Sequence, residues 1–150
     1  MKRIVTYLVV AVLLVSAVST SVSAANYTDT EFSFFSINAE YLTLLEEKRA
    51  KEDSSSVYVY FEDYYNPLTV VEVATFGYAS GSATGFNVTV SYGEPVNYVT
   101  CRKGVEYGIH NWIYERGYSY ATLGMQTPGG TDIVSGLWSP DSVGDLVIAH

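Results

Sequence analysis

Residues Leu68–Phe76, LTVVEVATF, form the longest run rich in β-branched residues in this chain. Side chains of this type pack well on a pleated, half-buried surface, so the run predicts a central β-strand. The shorter stretch Val57–Phe61, VYVYF, alternates valine with tyrosine and predicts a second strand with one apolar face. Turn-forming residues lie between the two, at Glu62–Pro67. Together these segments predict an all-β fold.

The rest of the sequence repeats this pattern of short apolar runs bounded by Gly, Pro, Asn or Asp. The further predicted strands are Glu31–Ile37, Phe86–Tyr92, Val96–Arg102, Val105–Glu115, Tyr118–Met125, Asp132–Trp138 and a terminal edge at Leu146–Ala149. The second and third of these are predicted to form a hairpin around Gly93-Glu94-Pro95. The weakest of these nine segments are not counted as certain strands. The remaining seven or eight short antiparallel strands predict a small β-sandwich.

Two segments have ambiguous periodicity. Asn38–Asp53, NAEYLTLLEEKRAKED, predicts one short helix, with a long polar loop as the alternative. Its helical spacing rests on Tyr41, Leu44, Leu45 and Lys48. Val105–Glu115 fits a helical face and a strand equally well, and Gly108 in its middle would cost a helix about 1 kcal/mol relative to alanine. We therefore predict a strand there.

The first 24 residues, MKRIVTYLVVAVLLVSAVSTSVSA, have the three parts of a signal peptide. Two basic residues precede an apolar core at Ile4–Val18, and Val22-Ser23-Ala24 is a small-residue cleavage site. The core spans 15 residues, from 4 to 18, whereas a membrane helix needs about 20. We expect cleavage after Ala24 or Ala25 and a secreted mature chain without a stable membrane anchor.

Composition limits what the mature chain does. Removing 24 residues from 150 leaves 126, a single domain at residues 25–150. The leader carries two of the eight basic residues, so six remain against 16 acidic ones, a net charge of −10. A surface of this sign repels nucleic acid, so we expect no nucleic-acid partner. Cys101 is the single cysteine and is predicted to be a small core residue.

The residues that catalysis or metal binding requires do not form a complete set. Cys101 and His110 have an odd spacing, which puts them on opposite faces of a continuous strand, although a turn at Lys103-Gly104 would bring them together across a hairpin. One cysteine and one internal histidine cannot supply the roughly four ligands of a zinc site. Glu72 lies inside an apolar strand, but spacing identifies no second carboxylate for glycoside hydrolysis. Three aspartates without the spacing of a calcium loop are interpreted as turn residues: Asp132, Asp141 and Asp145. We predict no enzyme activity, metal or cofactor; the alternative is a small extracellular hydrolase that depends on Glu72 or His110.

Aromatic residues are the remaining candidates for function. The predicted binding residues are Trp112, Tyr114, Arg116, Tyr118, Tyr120 and Trp138. Rings with a polar rim stack on sugar faces or anchor protein interfaces. The alternative is that half of them are core, because a strand alternates between its two faces. We expect a non-enzymatic protein that binds cell-wall glycan, a lipid-linked precursor or another extracellular protein.

Three stretches carry a resemblance: SSSVYVYFEDY at Ser54–Tyr64, EYGIHNWIYERGYSYATL at Glu106–Leu123 and SGLWSPDSVG at Ser135–Gly144. They resemble small exported proteins of Gram-positive bacteria whose domain has no assigned function. The segment Trp138–Ser142 is also distantly similar to the lactococcin-type bacteriocins, which are secreted β-sandwich proteins that act on the envelope of sensitive cells. This resemblance implies a toxin as an alternative function. The chain departs from the bacteriocins in its greater length, its acidity and its Leu42–Lys51 segment.

Overall fold

The structure is a computed structural model that describes residues 26–36, 42–64, 70–128 and 132–150. The predicted leader lies outside these residues. All regular elements in the described part of the chain are strands, so the all-β prediction is confirmed. The described residues contain no helix with the length and apolar character of a membrane span.

Thirteen strands lie within the described ranges, more than the seven or eight predicted, because several are only two or three residues long. They are β1 (Thr30–Ser36), β2 (Thr43–Leu44), β3 (Arg49–Ala50), β4 (Val57–Tyr64), β5 (Val71–Tyr78), β6 (Phe86–Asn87), β7 (Val90–Ser91), β8 (Glu94–Pro95), β9 (Val99–Cys101), β10 (Glu106–Ile109), β11 (Tyr120–Gln126), β12 (Asp132–Ser139) and β13 (Val147–Ile148).

The first sheet has five strands in the order β1-β12-β4-β10-β13. Long antiparallel pairings join β1 to β12 and β12 to β4. The last strand, β13, runs parallel to β10, so the expectation of purely antiparallel pairing is wrong at this edge. The β12–β4 register shifts between Ser135 and Gly136, which marks a bulge. A Cβ at Gly136 would overlap the Tyr60 carbonyl oxygen, so this close approach of two backbones requires glycine.

The second sheet is built around β5 and β11, which pair antiparallel from Tyr120↔Tyr78 to Gln126↔Glu72. Its strand order is β2-β11-β5-β6, with β3 also on β11 and β9 also on β5. The run that predicted a central strand therefore does form one, over the part that the structure describes. Residues 65–69, which include the start of that predicted strand, lie outside the described ranges.

One hydrophobic cluster contains buried side chains from both of these sheets. Val57, Val59 and Phe61 of β4 are fully buried, whereas the intervening tyrosines of that strand are half-exposed. The Phe61 ring packs edge-on against Phe32 of β1, with 5.7 Å between ring centroids. The alternation in VYVYF thus has the predicted effect of turning one face of the strand into the core.

The helix predicted at Asn38–Asp53 is wrong over residues 42–53, the part of it that the structure describes. Short strands β2 and β3 lie there instead, and both pair with β11. The Thr122 hydroxyl donates to the carbonyl oxygens of Leu45 and Glu47 at 3.2 and 2.7 Å. The Leu45 backbone N–H donates to Leu123 O at 2.9 Å. These long-range hydrogen bonds hold the segment extended along β11.

The predicted hairpin is also placed differently. Its tight turn is Tyr92-Gly93, between β7 and β8, and not Gly93-Glu94-Pro95. Both turn residues have positive φ, 50° and 82°, the geometry of a type I′ turn. The flanking β6 and β9 do not pair with each other, since each pairs with β5.

The ambiguous segment Val105–Glu115 is a strand in its first half only, as β10. The chain then turns over Trp112–Arg116, where the Arg116 N–H donates to the Trp112 carbonyl at 3.1 Å. The helical spacing in this segment therefore corresponds to one turn that is not continued. The prediction of a strand is wrong for the second half.

Candidate binding site

The loop between β10 and β11 carries four of the six predicted binding residues and is held in place by hydrogen bonds. The Asn111 side chain accepts from the Ile113 N–H at 3.1 Å and donates to the Ile109 carbonyl at 3.2 Å. Ile113 is fully buried and anchors the loop to the core. The Trp112 N–H donates to Val88 O at 3.0 Å, which ties the loop to the chain after β6. The indole of Trp112 is therefore positioned by a well-bonded backbone.

Trp112 lies at a surface cleft of about 270 Å³. The cleft is lined by Ser54, Ser56, Val90, Gly93, His110, Asn111, Trp112 and Glu115. Hydroxyl, imidazole and carboxylate groups are thus arranged around one half-buried indole. The Arg116 guanidinium carbon lies 4.8 Å from the centroid of the Trp112 ring, a cation–π contact that restrains both side chains.

The other predicted rings are distributed over separate surfaces. Tyr114 is 52% exposed. Tyr118 is half-buried and stacks on Phe86, with 6.0 Å between ring centroids. Tyr120 lines a different hollow of about 380 Å³, whose other lining residues are Lys48, Tyr78, Ala79, Gly81, Ser82 and Ala83. The predicted set therefore does not form one continuous binding face.

Trp138 is a correction to the predicted set, because its side chain is only 1% exposed and belongs to the hydrophobic core. The Arg49 guanidinium lies 5.4 Å from its ring centroid and donates to its carbonyl oxygen at 3.1 Å. Alternation along β12 turns this ring inward. Its place in the structure is that of a packing residue.

A second cleft, of about 190 Å³, was not predicted from the sequence. It is lined by Tyr27, Asp29, Tyr58, Glu106, Ser139, Asp141, Ser142, Val143 and Leu146. The Tyr58 hydroxyl donates to the Glu106 carboxylate at 3.4 Å. Burial, together with the negative charges of Glu106 and Asp29, raises the pKa of Tyr58 to about 12. The alternation in VYVYF already puts Tyr58 on the outer face of β4, but only the β4–β10 register brings Glu106 beside it.

The residues considered for catalysis occupy unlike environments. Cys101 is fully buried, and burial raises the pKa of its thiol, so the reactive thiolate is disfavoured. His110 is exposed and lines the Trp112 cleft. Glu72 accepts a hydrogen bond from the Gln126 side chain. Within the described ranges, no three His, Cys, Asp or Glu side chains gather where they could hold a metal ion.

The aspartates interpreted as solvated turn residues include two that are buried. Asp141 is fully buried, and its carboxylate accepts from Lys51 Nζ at 2.6 Å. Asp132 is buried within β12, whereas Asp145 is exposed. The interpretation holds for Asp145 and is wrong for the other two.

The fold and its clefts define an all-β domain with aromatic-lined surface hollows. Residues 20–142 match a protein family described as a protein of unknown function, DUF2712, and the chain belongs to that family. No curated protein matches the chain, and no solved structure does.

Proposed function

We propose that this protein is a secreted β-sandwich that binds a cell-envelope glycan, without catalysis, through the cleft beside Trp112. The observation that carries this proposal is the half-buried indole held among Ser54, His110 and Glu115 at one hollow. A ring face offers dispersion contacts to the apolar face of a sugar, while the surrounding polar groups exchange hydrogen bonds with its hydroxyls.

The size and charge of the cleft restrict the class of ligand that it can bind. At about 270 Å³ it is slightly smaller than typical small-molecule sites of roughly 300–1,000 Å³, which suits one ring of a longer chain. Among its lining residues Glu115 is acidic and none is lysine or arginine. The Arg116 guanidinium, 4.8 Å from the centroid of the Trp112 ring, offsets the charge of Glu115, so a neutral sugar fits better than a strongly charged polymer.

Secretion is part of this proposal. The N-terminal leader directs the chain across a membrane and is removed after Ala24 or Ala25, in keeping with the resemblance to exported proteins of Gram-positive bacteria. The net charge of −10 after its removal keeps the mature protein soluble in the presence of envelope components.

Retention on purified, protein-free cell walls tests the proposal. Trp112→Ala is expected to lower retention at least tenfold, whereas Trp112→Phe keeps a ring and retains part of the binding. Phe35→Ala is the matched control, because Phe35 is 51% exposed but lies on β1, an edge strand of the first sheet that is separated from β10 by β12 and β4. Retention that Trp112→Ala leaves unchanged, in a variant with wild-type unfolding, would overturn the proposal.

The same purified protein separates binding from the toxin function that the bacteriocin resemblance implies. We expect no growth defect when it is added at micromolar concentration to related Gram-positive cells. Growth arrest that Trp112→Ala abolishes would favour the toxin, with the glycan as its receptor. Retention on membranes but not on cell walls would instead identify a lipid-linked precursor as the ligand.

A further inference from the structure

The backbone nitrogen of Asn26 contacts the buried carboxylate of Asp141. It donates to Asp141 Oδ2 at 2.8 Å, and the Asp141 side chain is fully enclosed. The same oxygen accepts from the Glu52 N–H at 3.1 Å, while Oδ1 accepts from Lys51 Nζ at 2.6 Å. A buried carboxylate is stable only where hydrogen bonds and positive charge compensate for lost hydration. Asn26 N is therefore part of this compensation.

Further contacts fix the position of this nitrogen. The Asn26 side-chain oxygen accepts from Arg49 Nη2 at 2.7 Å, and its amide nitrogen donates to Ala50 O at 3.4 Å. Arg49 also donates to the Thr28 carbonyl at 2.5 Å. The chain at Asn26 is thus held on β3 independently of its bond to Asp141.

We propose that a signal peptidase cuts between Ala25 and Asn26, and that the new α-ammonium group of Asn26 forms an ion pair with Asp141. This inference rests on the secretion proposed above. Water is the co-reactant: the amide C–N bond breaks, the Ala25 carbonyl becomes a carboxylate, and the Asn26 nitrogen becomes an ammonium. Ser23 and Ala25 then occupy the third and first positions before the bond, where signal peptidases require small residues.

The two possible cleavage sites leave different charges on the Asn26 nitrogen. A chain that begins at Asn26 replaces a neutral N–H donor by a charged one at 2.8 Å from a carboxylate oxygen, and charge-assisted hydrogen bonds are roughly twice as strong. A chain that begins at Ala25 keeps the neutral amide. Cleavage after Ala25 therefore stabilises the mature fold more than cleavage after Ala24.

Several charged side chains accompany the new ammonium group. Arg49 and Lys51 are the nearby cations, and Arg49 Nε lies 4.0 Å from the Glu47 carboxylate. Lys51 Nζ lies 3.5 Å from Asp53, whose other oxygen accepts from the Tyr27 hydroxyl at 3.0 Å. Together with Asp141 and Glu52, whose backbone N–H also donates to Asp141, four carboxylates accompany two side-chain cations, so a further positive charge at Asn26 improves the balance.

The intact mass of the protein released from bacteria that express the full-length chain tests the site of cleavage. We expect a chain that begins at Asn26. A released chain that begins at Ala25 would overturn this inference and leave the proposed function standing. A chain that is neither cleaved nor released would overturn both this inference and the proposed secretion.

Titration of the α-amino group of the released protein, followed by NMR, tests the ion pair. Asp141 favours the charged form, so we expect a pKa above the usual value of about 7.7–8.0. The stabilisation is then complete below about pH 8 and is lost as pH rises through the folded-state value. An α-amino group that titrates at its ordinary pKa would overturn the inference.

A variant gives an independent measurement. Ala25→Leu puts a large residue before the bond and directs cleavage to the site after Ala24, which the mass of the released chain verifies. We expect its thermal midpoint at pH 7 to be about 3–6 °C lower than that of the wild type. The two midpoints should converge above about pH 10, where the ammonium group is neutral. Equal midpoints at pH 7 would overturn the inference.

Discussion

Lys51–Asp141 and Lys103–Asp63 are two ion pairs with the same 2.6 Å separation and opposite environments. Both side chains of the first are fully buried, whereas those of the second are 48% and 72% exposed. Lys51→Met leaves the Asp141 charge buried without its main counter-ion, so we expect a loss of about 3–5 kcal/mol in the free energy of unfolding. Urea denaturation at pH 7 measures this loss of stability.

Lys103→Met is the matched control, because solvent screens its exposed pair, and we expect no measurable change in its urea midpoint. The double variant Lys51→Met/Asp141→Asn should lose less than the sum of the two single variants, because the lysine ammonium and the buried carboxylate that it contacts are removed together. Equal midpoints for Lys51→Met and Lys103→Met would contradict the prediction.

At the scale of elements, the turn between β7 and β8 combines a strained residue with a useful contact. Tyr92 has φ of 50°, which costs a residue with a Cβ about 1 kcal/mol or more, and asparagine tolerates this region better. Its ring nevertheless stacks on the terminal His150, with centroids 4.0 Å apart. We expect Tyr92→Asn to stabilise the protein by about 0.5–1 kcal/mol in a His150→Ala background, and by less in the wild type, where the stacking is lost. Equal effects in both backgrounds would show that the stacking contributes nothing.

The sequence predicts elements well where a local pattern is enough. Alternation in VYVYF and the β-branched run give β4 and β5, because the pattern itself states which face is apolar. The same reasoning fails at Asn38–Asp53, where the helical spacing does not predict the environment of Arg49 and Lys51. Both are buried, and their partners Trp138 and Asp141 lie 89 and 90 positions further along the chain. A local period contains no information about such distant partners.

At the scale of the whole molecule, the candidate site also depends on residues that are distant in sequence, which a local pattern does not predict. Trp112 could be selected from sequence because it lies in an aromatic stretch, but the stretch alone does not separate it from Tyr118 or Tyr120. The cleft combines the β10–β11 loop with Ser54 and Ser56 before β4 and with Gly93 of the hairpin. These parts are distant in sequence and are brought together by the tertiary fold. Trp138 was selected for its ring, and the strand register then turns that ring into the core.

Both sheets share one hydrophobic cluster, so the domain is expected to unfold in a single cooperative transition. Phe61→Ala in the first sheet and Leu123→Ala in the second each remove a fully buried side chain and should cost about 2–5 kcal/mol. Ile133→Ala, at a 54% exposed position of β12, is the control and should change stability by less than about 0.5 kcal/mol. Far-UV circular dichroism and tryptophan fluorescence should give one common midpoint in every variant. Two separated midpoints would show that the sheets fold independently.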